Sequence, residues 1–332
     1  MVIQKYPTEC EVVQPATPRG LSATPLFLFH DGGGTTFAYH CLASLDRAVF
    51  GIANPRFHSA TAWDGGLPEM ARVYLRMIRN TIVGPEYPPL APFSTDGTRR
   101  RKILLGGWSL GGLLALEIAR LLVTGANALG ADEDGDDAGV GIEIVGLVFI
   151  DSIYPVWPAG SEAKLGTYAE TAEPQGKNQK LAKQAMKLAA GMVKVWQMPR
   201  CGAAIAAENG VKNEVQSGED KVERSFYGSR EERETKEVVW ERPPRGVLVK
   251  ATAGVPMPGD GISPTDVYRS DEKLGWDEYC PGFIEKTLMT SGSHFDMFSW
   301  GYTDEITARV ADACQYLEGS YGYEDMMTAD MS

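Results

Sequence analysis

The stretch "KILLGGWSLGGLLALEIARLL", residues 102–122, constrains this chain more than any other. A short apolar run meets Gly106, Gly107, Gly111 and Gly112 around Ser109, and a helical pattern of Leu, Ala and Ile follows. Glycine is unfavourable inside a strand or a helix, so this clustering needs a geometric reason. A strand that turns sharply into a helix supplies one. The residues two before and two after the turn must be small for the elements to approach, and the turn residue is strained with its side chain exposed. Gly107-Trp108-Ser109-Leu110-Gly111 has this G-x-S-x-G form, and Gly106 and Gly112 widen the clearance.

Such a turn belongs at the edge of a parallel sheet, and the flanking sequence has the matching rhythm. "PLFLFH" (25–30), "AVFGIANPRF" (48–57), "KILLGG" (102–107), "IEIVGLVFI" (142–150), "RGVLVKA" (245–251) and "EKTLMTS" (285–291) read as strands. "GLPEMARVYLRMIRNTI" (66–82) carries Met70, Val73, Met77 and Ile78 at helical spacing, and Gly125 stops the helix after Ser109. This alternation implies a mostly parallel α/β sheet with helices on both faces. The expected organisation is an extended lead-in (1–24), a core formed by 25–155 and 245–318, and an inserted, mostly helical lid (156–244) that lacks a clear strand. A flexible acidic tail (319–332) completes it, and 128–141 is an acidic, Gly-rich surface loop.

Composition enters as exclusion. A net charge of −12 argues against nucleic-acid binding through the bulk field. No apolar run reaches the roughly 20 residues of a membrane span, and the first residues contain no apolar signal core. Five scattered cysteines without a CxxC favour reduced thiols in a cytoplasmic setting over a disulfide or zinc framework. No metal site and no cofactor are expected.

A serine hydroxyl needs an adjacent base to act as a nucleophile. In α/β-hydrolases the chain order is serine, acid, histidine, and of the four histidines only His294, in "SGSHFDMF", follows Ser109. Asp151, at the end of "IEIVGLVFI", is the favoured acid, with Asp266 and Asp260 as alternatives after the next strand. Stabilising an oxyanion takes backbone N–H donors. Leu110, at the helix N-terminus, and Gly32 and Gly33, in "HDGGGT", fit that role, while His30 reads as structural. Trp108, Tyr154, Trp157, Trp196, Phe295 and Phe298 are candidate linings of a substrate pocket, each also an ordinary core residue.

Taken together, "PLFLFHDGGGT", "GGWSLGG", "LVFIDSIYP" and "GSHFDMF" resemble the thioesterase domains of fungal polyketide and nonribosomal peptide synthases and their free-standing relatives, over about residues 22–315. The resemblance implies an α/β-hydrolase fold with a helical lid. It also implies a serine that takes an acyl chain from the phosphopantetheine thioester of an acyl carrier protein, supplied here in trans, and releases it by hydrolysis or cyclisation. In that family the acid follows the strand after the elbow, where Asp151 stands, although the acidic loop lengthens the gap from Ser109. An acyltransferase or general carboxylesterase would use the same residues, and a ligand-binding protein would need none of them. A carrier is acidic, so docking calls for a basic patch. "RRRK" (99–102) enters its strand at the end away from Ser109. In 177–197, Leu181, Ala185, Leu188, Met192 and Val195 form one helical face, and Lys180, Lys183, Lys187 and Lys194 fall on the other. That basic face reads first as a solvated surface and second as a docking site.

Overall fold

The computed structural model describes residues 6–123, 140–166, 176–202, 239–240 and 242–329. Its strands are β1 (Glu11–Gln14), β2 (Leu26–Phe29), β3 (Val49–Ile52), β4 (Arg100–Trp108), β5 (Gly141–Ile150), β6 (Arg200–Cys201), β7 (Val239–Trp240), β8 (Gly246–Ala251) and β9 (Ile284–Thr290). Helices are α1 (Phe37–His40), α2 (Gly66–Val83), α3 (Leu110–Val123), α4 (Lys177–Val195), α5 (Trp276–Tyr279) and α6 (Thr303–Ala329). Seven strands form one sheet in the order β1-β3-β2-β4-β5-β8-β9. Every neighbouring pair is parallel except β1 with β3. This is the α/β-hydrolase architecture.

Alternation along the strands builds two cores. On β5, Leu147 and Phe149 pack with α2 and α3, while Val148 and Ile150 pack with Ile306, Val310 and Leu317 of α6. Both sheet faces are therefore dry, which is why the strands read as continuous apolar runs rather than alternating ones. The helix α6 lies so close that a Cβ on Gly146 would come within 2.6 Å of Leu317 Cδ2.

Four expectations are corrected. The lead-in carries an edge strand, β1, because its Val12 pairs with Phe50 across the sheet, a partner that a four-residue segment does not announce. The tail continues α6 as helix to Ala329, since a helix nucleated by packing extends at little further cost. Within 156–244, β6 and β7 pair in parallel, two residues each, too short to leave a pattern. The expectation of reduced thiols fails for Cys201 and Cys280, which are bonded as a disulfide across 79 positions. Folding brings the end of the lid against the C-terminus of α5, a proximity with no local signal. Gly125, most of the acidic loop and residues 330–332 lie outside the described residues. Among those described, no helix is long and apolar enough to cross a membrane.

Candidate active site

The chain moves outward from β2 to β3 and then crosses to β4 on the other side of β2. At such a switch point a crevice opens beyond the carboxyl ends of the strands. There β2 delivers His30, Asp31, Gly32 and Gly33, and β4 delivers Trp108 and Ser109.

Ser109 has φ 56°, in the left-handed region that disfavours a side chain. Such strain costs about 1–3 kcal/mol and persists only where the surroundings enforce it. Here the Ser109 amide donates to the Ile150 carbonyl at 2.9 Å, and the Gly112 amide donates to the Ser109 carbonyl at 3.2 Å. A Cβ on Gly107 would lie 2.6 Å from the Phe29 carbonyl oxygen and 2.7 Å from Gly111 Cα, so glycine is required there by contact.

Asp151 leaves β5 in the same strained conformation, φ 45°, and is fully buried. His294 Nδ1 lies 2.8 Å from its Oδ2, and the Ala251 amide donates to Oδ1 at 2.9 Å. Arg269 completes the set with a two-pronged contact, Nη1 to Oδ1 at 2.6 Å and Nη2 to Oδ2 at 2.7 Å. Burial works to raise the Asp151 pKa, but the Arg269 guanidinium and the His294 ring outweigh it and hold the carboxyl at about 2. With Nδ1 occupied, Nε2 is the ring nitrogen of His294 left for other chemistry. Trp108, adjacent to Ser109, places its ring 5.6 Å from that of His294. Ser109 Oγ makes no hydrogen bond to that ring among the described residues. Such a contact is often long before substrate binds.

The alternative acids are placed elsewhere. Asp266 accepts from the Val255 amide at 2.6 Å and from Arg269 Nε at 2.9 Å, while Asp260 is exposed. Only Asp151 meets the histidine.

Leu110 opens α3, where the first amides have no acceptor within the helix. On the opposing loop, α4 sits directly overhead: a Cβ on Gly32 would be 3.7 Å from Met186 Cγ and 3.9 Å from Ala189 Cβ. Asp31 folds back over Gly33, its Oδ1 3.1 Å from where a Cβ on that glycine would lie, and the Gly34 amide donates to the Asp31 carbonyl at 3.1 Å. Gly32 and Gly33 both stay candidate donors on the loop after β2. Burial raises the Asp31 pKa, against the pull of nearby backbone amides and of His294. His30 is buried between Tyr74 Oη, 2.7 Å from Nε2, and the Asp31 carbonyl, 2.6 Å from Nδ1. That burial drops its pKa to about 4 and keeps it neutral, in a structural role.

Of the aromatic candidates, the structure brings Trp108 and Phe295 to His294, with Phe295 half-exposed and its ring 5.0 Å away. Tyr154 and Trp196 go elsewhere. Tyr154 packs against Tyr268, Trp276 and Tyr279, and the Trp196 indole donates to buried Glu117 at 3.1 Å. Trp157 and Phe298 are buried, Phe298 with its ring 5.1 Å from that of Trp108.

The chain is 30% identical over 319 residues to "Probable thioesterase lcsE" of Purpureocillium lilacinum, covering 90% of both proteins. It is 30% identical over 325 residues to "Probable thioesterase gloN" of Glarea lozoyensis, covering 96% of this chain and 97% of that one. The chain belongs to the fungal thioesterases. This thioesterase also aligns, at 27% identity and over 92% of its length, with 8% of "Nonribosomal peptide synthetase imqB" of Aspergillus flavus. No family model matches it. As a thioesterase it is a hydrolase, and the crevice at the switch point is where its chemistry is to be sought.

Two residues of the thioesterase's crevice escape a reading of sequence. Arg269 sits in an irregular segment with no motif, 118 positions from the carboxylate it grips. Asp31 had a visible signal, a carboxylate set inside a glycine run, but nothing local showed that it would fold over Gly33.

Proposed function

We propose that the protein is a serine thioesterase that releases a polyketide- or peptide-type acyl chain from a carrier-protein thioester supplied in trans. The observation that carries this reading is the buried Asp151–His294 contact, 2.8 Å, beside a strained serine at the switch point. Ser109 Oγ attacks the thioester carbonyl as His294 Nε2 takes its proton. A C–O bond forms, the C–S bond breaks, and the carrier thiol departs. Because a thiol has a pKa near 8.5 it leaves with little help from an acid, so geometry and oxyanion stabilisation set the rate. The amides of Leu110 and of the Gly32–Gly33 loop stabilise the developing oxyanion. Water, or a hydroxyl or amine of the chain itself, then attacks the acyl-serine with His294 as base, which yields hydrolysis or cyclisation from one set of groups. Trp108 and Phe295 line the approach to the acyl group.

Support for a carrier-bound substrate is the alignment with one segment of a nonribosomal peptide synthetase. Intact mass spectrometry with model acyl thioesters tests the mechanism. A transient acyl adduct on Ser109, absent from Ser109→Ala, is the expected result. Turnover by folded Ser109→Ala would overturn it, and the mass of the released product separates hydrolysis from cyclisation.

A further inference from the structure

A triad acid ordinarily faces its histidine with a full negative charge, which raises the basicity of the imidazole. Here that charge is largely spent elsewhere. Arg269 engages both oxygens of Asp151, at 2.6 and 2.7 Å, in the paired geometry that a planar guanidinium offers a carboxylate. The same guanidinium is fixed by Asp266 through Nε at 2.9 Å, and by the carbonyls of Ala251 at 3.0 Å and Thr265 at 3.2 Å. Its side chain is only 12% exposed, so solvent screens it little. A cation held this rigidly behind the acid does more than complete a loop.

We propose that Arg269 is a positioning residue that fixes Asp151 for His294 and, by sharing the carboxylate, lowers the basicity of the imidazole. The proposal rests on the triad reading above. Around the pair, Lys250 reaches from β8, buried and donating through Nζ to the Asp271 carbonyl at 2.7 Å, and adds positive charge on the Arg269 side. Asp31 approaches His294 from the loop after β2 and adds negative charge. Asp266 neutralises part of Arg269. The consequences have opposite signs. Removing Arg269 leaves Asp151 freer to stabilise the imidazolium, so the acid limb of kcat/KM moves to higher pH. Removing the Asp266 charge strengthens the pull of Arg269 on Asp151, so that limb moves to lower pH.

The test compares the native chain with Arg269→Met, Arg269→Lys and Asp266→Asn, each checked for folding by thermal melting. Two readouts are used: the acid limb of the kcat/KM profile on a small acyl thioester, and the NMR titration of the His294 ring in a Ser109→Ala background. For Arg269→Met the expected result is an upward shift of about one pH unit in both, roughly a tenfold loss of kcat/KM below the limb. Arg269→Lys, which retains the charge but not the fork, should restore most of the position of the limb. Asp266→Asn should move it downward. An unmoved limb in folded Arg269→Met would overturn the proposal, and so would shifts of the same sign in Arg269→Met and Asp266→Asn. Should Arg269→Met not fold, the lysine and Asp266 variants decide alone. Since the ring titration needs no turnover, failure of the serine mechanism would be visible separately, as activity in Ser109→Ala.

Discussion

The helices α3 and α4 border the same crevice and are held in contrasting ways. Of the 14 residues of α3, 11 are buried, among them Gly111 and Gly112, which bring the helix against β2 and Ser152. Of the 19 residues of α4, only Ala185 and Ala189 are buried. Among the described residues, α4 and its flank are fastened at a few points: alanines over the glycine loop, the Trp196 indole on Glu117, and the Cys201–Cys280 bridge just beyond. Glu117 is itself paired with Arg120 and is fully buried, so the lid anchor borrows the rigidity of α3. The elbow is set by dense packing that admits no extra atom. Among the described residues α4 rests on few contacts, which places it towards the low-stability end of the molecule, where opening is least costly.

The contrast predicts a steep gradient of mutational effects. At the elbow, Ser109→Ala should lower kcat by about 10⁶ with little loss of stability. Steady-state kinetics and a melting curve together check both halves of that statement, and retention of more than a few per cent of activity would break it. Asp151→Asn comes next, at about 10⁴ in kcat, because the amide favours the wrong histidine tautomer. Asp266→Asn should keep nearly all its activity at neutral pH, and the reverse ranking would move the acid to the other side of Arg269. Asp151 also leaves a signature in acid. Its folded pKa is depressed, so its ionised form contributes stability in full above the ordinary carboxylate pKa of about 3.9 and loses it as pH falls towards about 2. That part of the acid-unfolding curve should flatten in Asp151→Asn.

Packing variants measure the contrast in stability. Gly107→Ala forces a methyl against the Phe29 carbonyl and Gly111, and should cost about 3 kcal/mol in chemical denaturation. Trp196→Phe keeps most of the ring and removes only the donor to Glu117, a loss of about 1.5 kcal/mol. Its effect should appear first as faster hydrogen exchange in α4, while the elbow stays protected. Exchange that rises equally in both helices would show that lid and elbow open as one unit. Smallest of all, reversing the exposed Lys180, Lys183 and Lys187 to Glu should change kcat/KM on a small soluble thioester less than about twofold. Comparison with a carrier-bound thioester sharpens this. A loss confined to that substrate and relieved by salt would assign the face to carrier docking, since such charges act over a Debye length of about 8 Å.

Local pattern carried a great deal here. The apolar runs coincide with β2, β3, β4, β5 and β8, because a strand buried on both faces must be apolar throughout, while β9 at the sheet edge is mostly exposed or half-buried. The glycines about Ser109 announced a close approach of strand and helix, since a Cβ at Gly107 or Gly111 would collide with β2. Chain order alone singled out His294 among the histidines, and strand position favoured Asp151, the carboxylate that His294 contacts. On α4 the pattern was only partly informative. Ala185 is buried as its spacing suggested, yet Val195 is 73% exposed and Ala189 takes the inner position, because a helix with so few contacts is oriented by its anchors rather than by its own stripe.

Amino-acid order by itself determined strands β2 to β5, β8 and β9, the elbow and the residues at its rim, because each depends on what a short segment must bury or leave open, while β1, β6 and β7 left no such pattern. Tertiary structure alone decided that Arg269 grips Asp151, that Asp31 folds over Gly33, and that Cys201 meets Cys280. It also packed Tyr154 against Tyr268, Trp276 and Tyr279 and set the Trp196 indole on Glu117. These contacts join segments whose own periodicity is satisfied without them. Their energy depends on distances across the fold, and a chain read residue by residue holds no record of those distances.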